Sequence, residues 1–133
     1  MSQTQTSGRI TAYTGADLSA KEGYIVKLTT AATVEGVARK AVVLASAATD
    51  KLLGTIALGA VAGDVVEIIP RNSHQTGKVV LGTGGATLGA YLTADANGAA
   101  VATTTSGDVL LGMALEAGSA GDLIEYMPMT DRY

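Results

Sequence analysis

The sequence predicts an all-β protein, a small β-barrel or β-sandwich built from two pseudo-symmetric repeats, with a flexible N-terminal arm. Three observations predict this fold: short segments of alternating hydrophobicity, glycine-rich turns between them, and an internal repeat. Because the chain has 133 residues, a single domain is expected. We predict an arm over residues 1–13 and one β domain over residues 14–133, with repeat 1 at about 23–70 and repeat 2 at about 78–128.

The N-terminal arm is predicted from its polarity. Residues 2–8 are Ser, Gln, Thr and Gly, and they carry neither charge nor hydrophobic periodicity. Such a segment is either a frayed terminus or an arm that orders on a partner. Residues 10–13, Ile-Thr-Ala-Tyr, can form a strand, so the arm is able to add a strand to the edge of a partner's sheet.

Short strands are predicted in order along the β domain, each with apolar side chains that alternate or cluster between turn residues. The candidates are Gly23–Leu28, Val65–Ile69, 78–81 and 89–92. Asn97 and Gly98 predict a tight turn. Residues 33–48 match helical spacing as well as a strand, and we favour a strand because residues 41–47 within them correspond to the strand-like residues 99–105.

The internal repeat is the most informative feature of the chain. Residues 52–70 align without gaps with residues 110–128, at an offset of 58, and 8 of the 19 positions are identical. The repeated unit is a strand, a turn and a strand, so Ile68 and Tyr126 are expected at equivalent buried positions. Glycine and aspartate are expected to shape the repeated strands and turns. These structural residues are Gly54, Gly63, Asp64, Gly112, Gly121 and Asp122.

Composition limits both the core and the classes of partner. The chain has no Phe, Trp or Cys, so its core must be built mainly from small side chains without disulfides. A core of small side chains buries little apolar area, and self-association would bury more. We therefore expect a homo-oligomer. The net charge of −3 and the absence of a basic patch argue against a nucleic-acid partner. No apolar run is long enough to cross a membrane, and no signal peptide is expected.

No catalytic, metal-binding or cofactor-binding constellation is predicted. His74 is the only histidine and lies in a polar segment between the repeats. The acidic residues at equivalent positions, such as Glu67 and Glu125, are explained by the duplication. The glycine-rich residues 82–89 lack the Lys-Ser/Thr ending of a phosphate loop, and residues 95–98 lack the later acidic ligands of a calcium loop. We therefore expect no enzyme activity.

The segments Thr49–Gly54, Ala62–Glu67, Gly89–Gly98 and Leu110–Asp122 together resemble the capsid cement, or head decoration, proteins of tailed bacteriophages. The resemblance implies a β-rich structural virion protein on the outer surface of the capsid. It implies the major capsid protein as partner, a homo-oligomer with a trimer favoured, and stabilisation of the expanded shell by bridging capsid subunits. Two alternatives remain: a tail or fibre structural module, and a small-ligand or sugar-binding β domain.

The arm lies outside the segments that carry this resemblance, so its role is a separate inference. We expect it to order on the capsid surface. The arm residues expected to contact the capsid are Gln3, Thr4, Gln5, Thr6, Arg9, Ile10 and Tyr13.

Overall fold

The computed structural model describes residues 9–34 and 37–133, with the side chains of residues 30–39 outside that description. The described residues form ten strands and no helix, and none of them belongs to a helix that could span a membrane. The strands are β1 (Ile10–Thr14), β2 (Ile25–Val34), β3 (Val37–Leu44), β4 (Leu52–Leu58), β5 (Val65–Pro70), β6 (Gly77–Val80), β7 (Tyr91–Ala94), β8 (Ala100–Ala102), β9 (Gly112–Ala114) and β10 (Leu123–Pro128). The all-β prediction is confirmed.

The ten strands divide into two sets of five. Strands β1–β5, the first repeat, close into a barrel in the order β1-β3-β2-β4-β5, with β1 also paired to β5. Strands β6–β10, the second repeat, form a sheet in the order β6-β10-β9-β7-β8. A single parallel bridge between Leu81 and Ala100 joins the two ends of this sheet. At the equivalent place in the first repeat, β1 pairs with β3, for example Thr14 with Val42. The second repeat is thus a less completely closed version of the first.

Strand registers align the β4–β5 pair with the β9–β10 pair residue by residue. Gly54 lies opposite Pro70 in the first repeat, and 58 positions later Gly112 lies opposite Pro128. Both glycines are required by a close approach between strands. A Cβ atom added to Gly54 would lie 2.0 Å from the carbonyl oxygen of Ile69, and one added to Gly112 would lie 2.0 Å from that of Met127.

The β4–β5 and β9–β10 turns are also alike. Gly63 and Gly121 have φ angles of +87° and +89°, a conformation that glycine adopts without steric cost. The N–H of Asp64 donates to the carbonyl of Val61 at 3.1 Å, and that of Asp122 donates to the carbonyl of Ser119 at 3.0 Å. The duplicated sequence therefore encodes a duplicated backbone.

The first repeat begins with β1 at Ile10, before the start at about residue 23 that the sequence predicts. Ile10 lies opposite Ile68 in the β1–β5 pair, and Gly77 lies opposite Tyr126 in the β6–β10 pair. Strands β1 and β6 are therefore equivalent, although one pair of facing residues is Ile–Ile and the other Gly–Tyr. The pairing is therefore the same in both copies although the paired residues differ, and direct sequence similarity is lost.

This equivalence corrects the arm predicted over residues 1–13. Ile10 and Tyr13 belong to a barrel strand, and the neighbouring Ala12 is only 2% exposed. The strand partners of β1 lie far along the chain, at residues 41–42 and 65–68, so local sequence did not reveal the pairing. Residues 1–8 lie outside the described part of the chain.

The segment with two possible interpretations, residues 33–48, contains strand β3, so the favoured strand is correct. Strands β2 and β3 form a hairpin that is longer than the β7–β8 hairpin. Val26 and Leu92 are 66 positions apart, whereas their partners Gly54 and Gly112 are 58 apart. The first hairpin therefore holds eight more residues than the second.

Two apolar clusters form the core. One fills the first barrel and contains Val26, Val42, Ile56, Val66 and Ile68 among others. The other fills the second repeat and extends to Ile25, Ala45 and Leu52 of the first repeat. The second cluster therefore crosses the junction between the repeats, which fixes one repeat against the other.

Candidate interaction surfaces

The junction between the repeats is held by a buried hydroxyl pair. The hydroxyl groups of Thr55, on β4, and Tyr126, on β10, are hydrogen-bonded at 2.7 Å, and both residues are 0% exposed. Burial raises the pKa of Tyr126 to about 12, while the bond to Thr55 acts in the opposite direction. Gly77 makes room for the ring, because a Cβ there would lie 2.9 Å from a ring carbon of Tyr126.

A charged loop of the first repeat also contacts the second. The Asp50 carboxylate accepts hydrogen bonds from the Ser46 N–H at 2.8 Å and from Lys27 Nζ at 3.0 Å. The bond from the Ser46 backbone and the bond from Lys27 lower the pKa of Asp50. The loop presents the carbonyl of Ala48, which accepts from Thr93 Oγ1 at 3.2 Å. The charged groups Lys27 and Asp50 therefore order this loop, and the loop in turn contacts the second repeat.

Arg71 reaches across the junction after strand β5. Its Nε donates to the carbonyl of Met129 at 3.1 Å, and its NH1 group donates to the carbonyl of Leu52 at 3.3 Å. Burial, followed by the nearby charge of Arg132, lowers the pKa of Arg71. This guanidinium joins the last residues of the chain to the first repeat.

An open groove of about 310 Å³ runs along the junction. The first repeat contributes Arg9 and Ile69 to its walls, and the second contributes Lys78, Leu123 and Glu125. Glu125 already accepts a 2.6 Å hydrogen bond from the hydroxyl of Thr76. The lining of the groove combines apolar and charged side chains.

The predicted arm residues divide between described and undescribed parts of the chain. Gln3, Thr4, Gln5 and Thr6 lie outside the described residues. Arg9 lines the groove and forms a 3.0 Å ion pair with Glu67 of β5, in which both side chains are 39% exposed. Ile10 and Tyr13 are held in β1.

The outer end of the first repeat is apolar at the β4–β5 turn. Leu58, Val61 and Val65 are 56%, 55% and 39% exposed. At the equivalent positions 58 residues later the second repeat carries Glu116, Ser119 and Leu123, so only one of the three is apolar. Exposed apolar groups that cluster at one end of a molecule are typical of a contact surface.

The outer face of the second repeat carries a row of large apolar side chains, which we call the distal face: Tyr91, Met113 and Met127. Tyr91 lies opposite Met113 across β7 and β9, and Met113 lies opposite Met127 across β9 and β10. Tyr91 is 39% exposed, Met127 is 47% exposed and Met113 is half-buried. Tyr133 packs edge-to-face on Tyr91, with ring centroids 5.9 Å apart.

Sequence reasoning did not single out the distal face. The signal was present in the repeat alignment, where Met113 and Met127 stand at the positions of Thr55 and Ile69. These positions lie on equivalent faces of the two sheets. The change from Thr to Met therefore marks a difference between the repeats in what this face contacts.

Among the described residues, no cluster of three or more His, Asp or Glu side chains is arranged to hold a metal ion. His74 is exposed in the segment between β5 and β6. The surfaces described above are suited to contacts with other chains.

No family model matches the sequence, and no curated protein matches it. Among solved structures, the fold is similar to the crystal structure of the N base of the head fiber protein gp8.5 of bacteriophage phi29. The two share a TM-score of 0.68 and 16% sequence identity, over 94% of this chain and 96% of that chain. At this identity the likeness establishes a shared fold over almost the full length of both chains.

Proposed function

We propose that this protein is a structural component of a bacteriophage virion, located on the outer surface of the capsid, where it bridges subunits of the major capsid protein. One observation carries the proposal: the two-repeat fold is shared, over nearly its whole length, with the base of a phage head fiber. The resemblance of residues 49–54, 62–67, 89–98 and 110–122 to capsid cement proteins supports the same role independently.

In this proposal the protein acts by binding alone, without catalysis, cofactor, nucleic acid or membrane. A protein that binds the expanded shell and not its precursor stabilises the expanded state by mass action. A homo-oligomer, with a trimer favoured, would contact several capsid subunits at once and gain avidity from doing so. The exposed apolar side chains of both repeats support contacts with other chains.

The capsid-binding arm is proposed for residues 2–8, since β1 belongs to the barrel. This shorter arm retains Gln3, Thr4, Gln5 and Thr6 and leaves the Arg9–Glu67 ion pair in the β domain. Arg9, to which this arm is joined, lines the groove. An extended polar segment can bind a capsid protein by adding a strand to its sheet.

Co-sedimentation with empty phage heads tests the proposal. Purified protein is mixed with expanded heads or with unexpanded heads, and bound protein is measured in the pellet. We expect binding to expanded heads, and weaker binding when residues 2–8 are deleted. Absence of the full chain from both pellets would refute capsid binding, whereas equal affinity of the deleted chain would refute only the arm. Circular dichroism of the deleted chain provides the control for folding.

A second candidate is the base of a fibre, and the fold of the head fiber N base specifically favours it. A fibre base would also sit on the virion, but it would carry a protruding partner. Labelling with an antibody in electron micrographs distinguishes the two candidates. Label spread over the head surface supports the cement role, whereas label at the root of fibres or on tails supports the fibre module.

A further inference from the structure

Strand β6 has a free edge where its equivalent in the first repeat is paired. Strands β1 and β6 occupy equivalent places, beside β5 and β10 respectively. The other edge of β1 pairs with β3, whereas among the described residues the other edge of β6 pairs with no strand. This edge is covered only near its end, where the Val80 N–H donates to the carbonyl of Gly23 at 2.9 Å, and beyond it by the Leu81–Ala100 bridge.

The uncovered part of the edge is the backbone of Lys78. In an antiparallel pair the N–H and C=O of one residue point to the same side, and the side alternates along the strand. Because the Val80 N–H points away from β10, the N–H and C=O of Lys78, two residues earlier, point away from β10 as well. Neither group bonds to another residue in the described part of the chain. An unpaired edge of this kind is a template for one more strand.

This edge opens into the junction groove. Lys78 lines the groove, and so does Gly23, which covers the neighbouring Val80 on the same side of β6. Leu123 also lines the groove and is 54% exposed, so an added strand would cover an apolar side chain. Main-chain hydrogen bonds to a sheet edge, combined with side-chain contacts beside it, are what a peptide uses when it binds by strand addition.

The charges of the groove favour an uncharged occupant. Two positive and two negative side chains line it, and each already bonds to a neighbour within the molecule. The contacts are Arg9 with Glu67 at 3.0 Å, Lys78 with Glu116 at 3.9 Å, Glu125 with the Thr76 hydroxyl at 2.6 Å, and Glu22 with the Gly59 N–H at 2.9 Å. A charged peptide would gain no unpaired opposite charge here, so recognition falls to the backbone of Lys78.

Residues 2–8 of this chain match these requirements. They carry no charge and include Thr4 and Thr6, a residue type favoured in strands. They precede Arg9, which lines the groove, and seven extended residues span about 23 Å, enough to pass along a groove of about 310 Å³. Attachment beside the groove gives this segment a high effective concentration there, an advantage that a segment of another molecule lacks.

We propose that residues 2–8 dock in the junction groove of their own chain, where they add a strand to β6 at Lys78. The segment would cover Leu123 and join the start of the chain to the second repeat. This inference concerns the free protein and does not depend on capsid binding. When the same residues bind a capsid, they would first leave the groove, because one segment cannot pair with two sheet edges through the same backbone groups.

Amide hydrogen exchange followed by NMR tests the strand addition. The full chain is compared with the chain lacking residues 2–8, which retains every described strand because β1 begins at Ile10. We expect the Lys78 amide to exchange about tenfold or more slowly in the full chain than in the shortened chain. The Ile25 amide, which donates to the carbonyl of Gly98 at 2.7 Å, is the internal control and should exchange equally in both. Equal exchange of the Lys78 amide in the two chains would overturn the inference.

Disulfide trapping tests which molecule supplies the segment. The chain contains no cysteine, so two introduced cysteines report one contact. Thr6→Cys combined with Leu123→Cys should form a disulfide within one chain about tenfold or more faster than Thr6→Cys combined with Leu88→Cys, at a 72% exposed residue outside the groove.

Loss of free thiol gives the rate of trapping, non-reducing gel electrophoresis separates intrachain from interchain bonds, and circular dichroism checks that both double variants fold. Equal rates for the two pairs would overturn docking in the groove. Disulfide-linked dimers of the Leu123→Cys pair would mean that a second copy supplies the segment, and would overturn docking within the chain. Neither readout involves capsids, so a negative result leaves the proposed capsid binding to its own test.

Discussion

Replacing Tyr126 by Phe should destabilise the whole molecule, because the buried Thr55 hydroxyl would lose its partner at the junction. The two hydroxyls are 2.7 Å apart, and neither residue is exposed. Leaving a buried hydroxyl unpaired costs about 1–3 kcal/mol. For a chain of this length each kcal/mol lowers Tm by about 3–4 °C, so a fall of roughly 3–12 °C is expected.

A double-mutant cycle with Thr55→Val isolates the pair. Valine has nearly the shape of threonine, so the double variant leaves no unpaired hydroxyl and should lose less stability than the two single variants added together. The expected coupling between Thr55 and Tyr126 is about 1–2 kcal/mol. Urea unfolding followed by circular dichroism measures the free energy of unfolding for all four proteins.

Two results would refute this reasoning. A loss below about 0.5 kcal/mol for Tyr126→Phe would mean that the hydroxyl pair does not stabilise the junction. Strict additivity in the cycle would mean that the two residues act independently. In either case the junction would be held by apolar contacts alone.

The remaining predictions concern pH, the repeated glycines and the core. Below pH 10 Tyr126 is protonated in both the folded and the unfolded states. Between pH 10 and 12 its phenol ionises in the unfolded chain but stays protonated in the folded protein, where its pKa is about 12, so the free energy of unfolding falls as pH rises through this range. Up to about 3 kcal/mol should therefore be lost between pH 10 and 12, and unfolding of Tyr126→Phe should depend less on pH over this range. Gly54→Ala and Gly112→Ala should each cost about 1–3 kcal/mol or more in urea unfolding, because the new Cβ meets a carbonyl oxygen. Gly15→Ala, with open space around it, should be neutral, and equal values for all three would contradict the repeat register. Ile68→Asp should abolish cooperative thermal unfolding, since it buries a carboxylate without a partner; a folded, soluble variant would contradict its burial.

Much of the fold could be predicted because the decisive patterns are local. The repeated Leu-Leu-Gly and Ala-Gly-Asp segments specify strands, turns and their order, and Gly63 and Gly121 adopt matching conformations. Ile68 and Tyr126 occupy equivalent buried positions although their side chains differ. A duplicated sequence constrains the backbone in both copies, since the same local preferences act in each.

The strand β1 shows where local patterns stop being informative. The sequence predicts residues 10–13 as part of the arm, but Ile10 pairs with Ile68, which lies 58 positions along the chain. Its counterpart Gly77 faces Tyr126, so the two equivalent strands share no recognisable sequence. Only the pairing of facing residues across the sheet reveals that the two strands occupy equivalent positions.

By itself, the sequence determined that this protein is a duplicated β structure with a lean core and turns set by glycine and aspartate. The tertiary structure alone decided that Ile69 is covered at the junction while its equivalent, Met127, faces outward. Both side chains are apolar and both lie on the same face of equivalent strands, so no local pattern separates them. Burial depends on what packs against a face, and the order of the two repeats in space decides that.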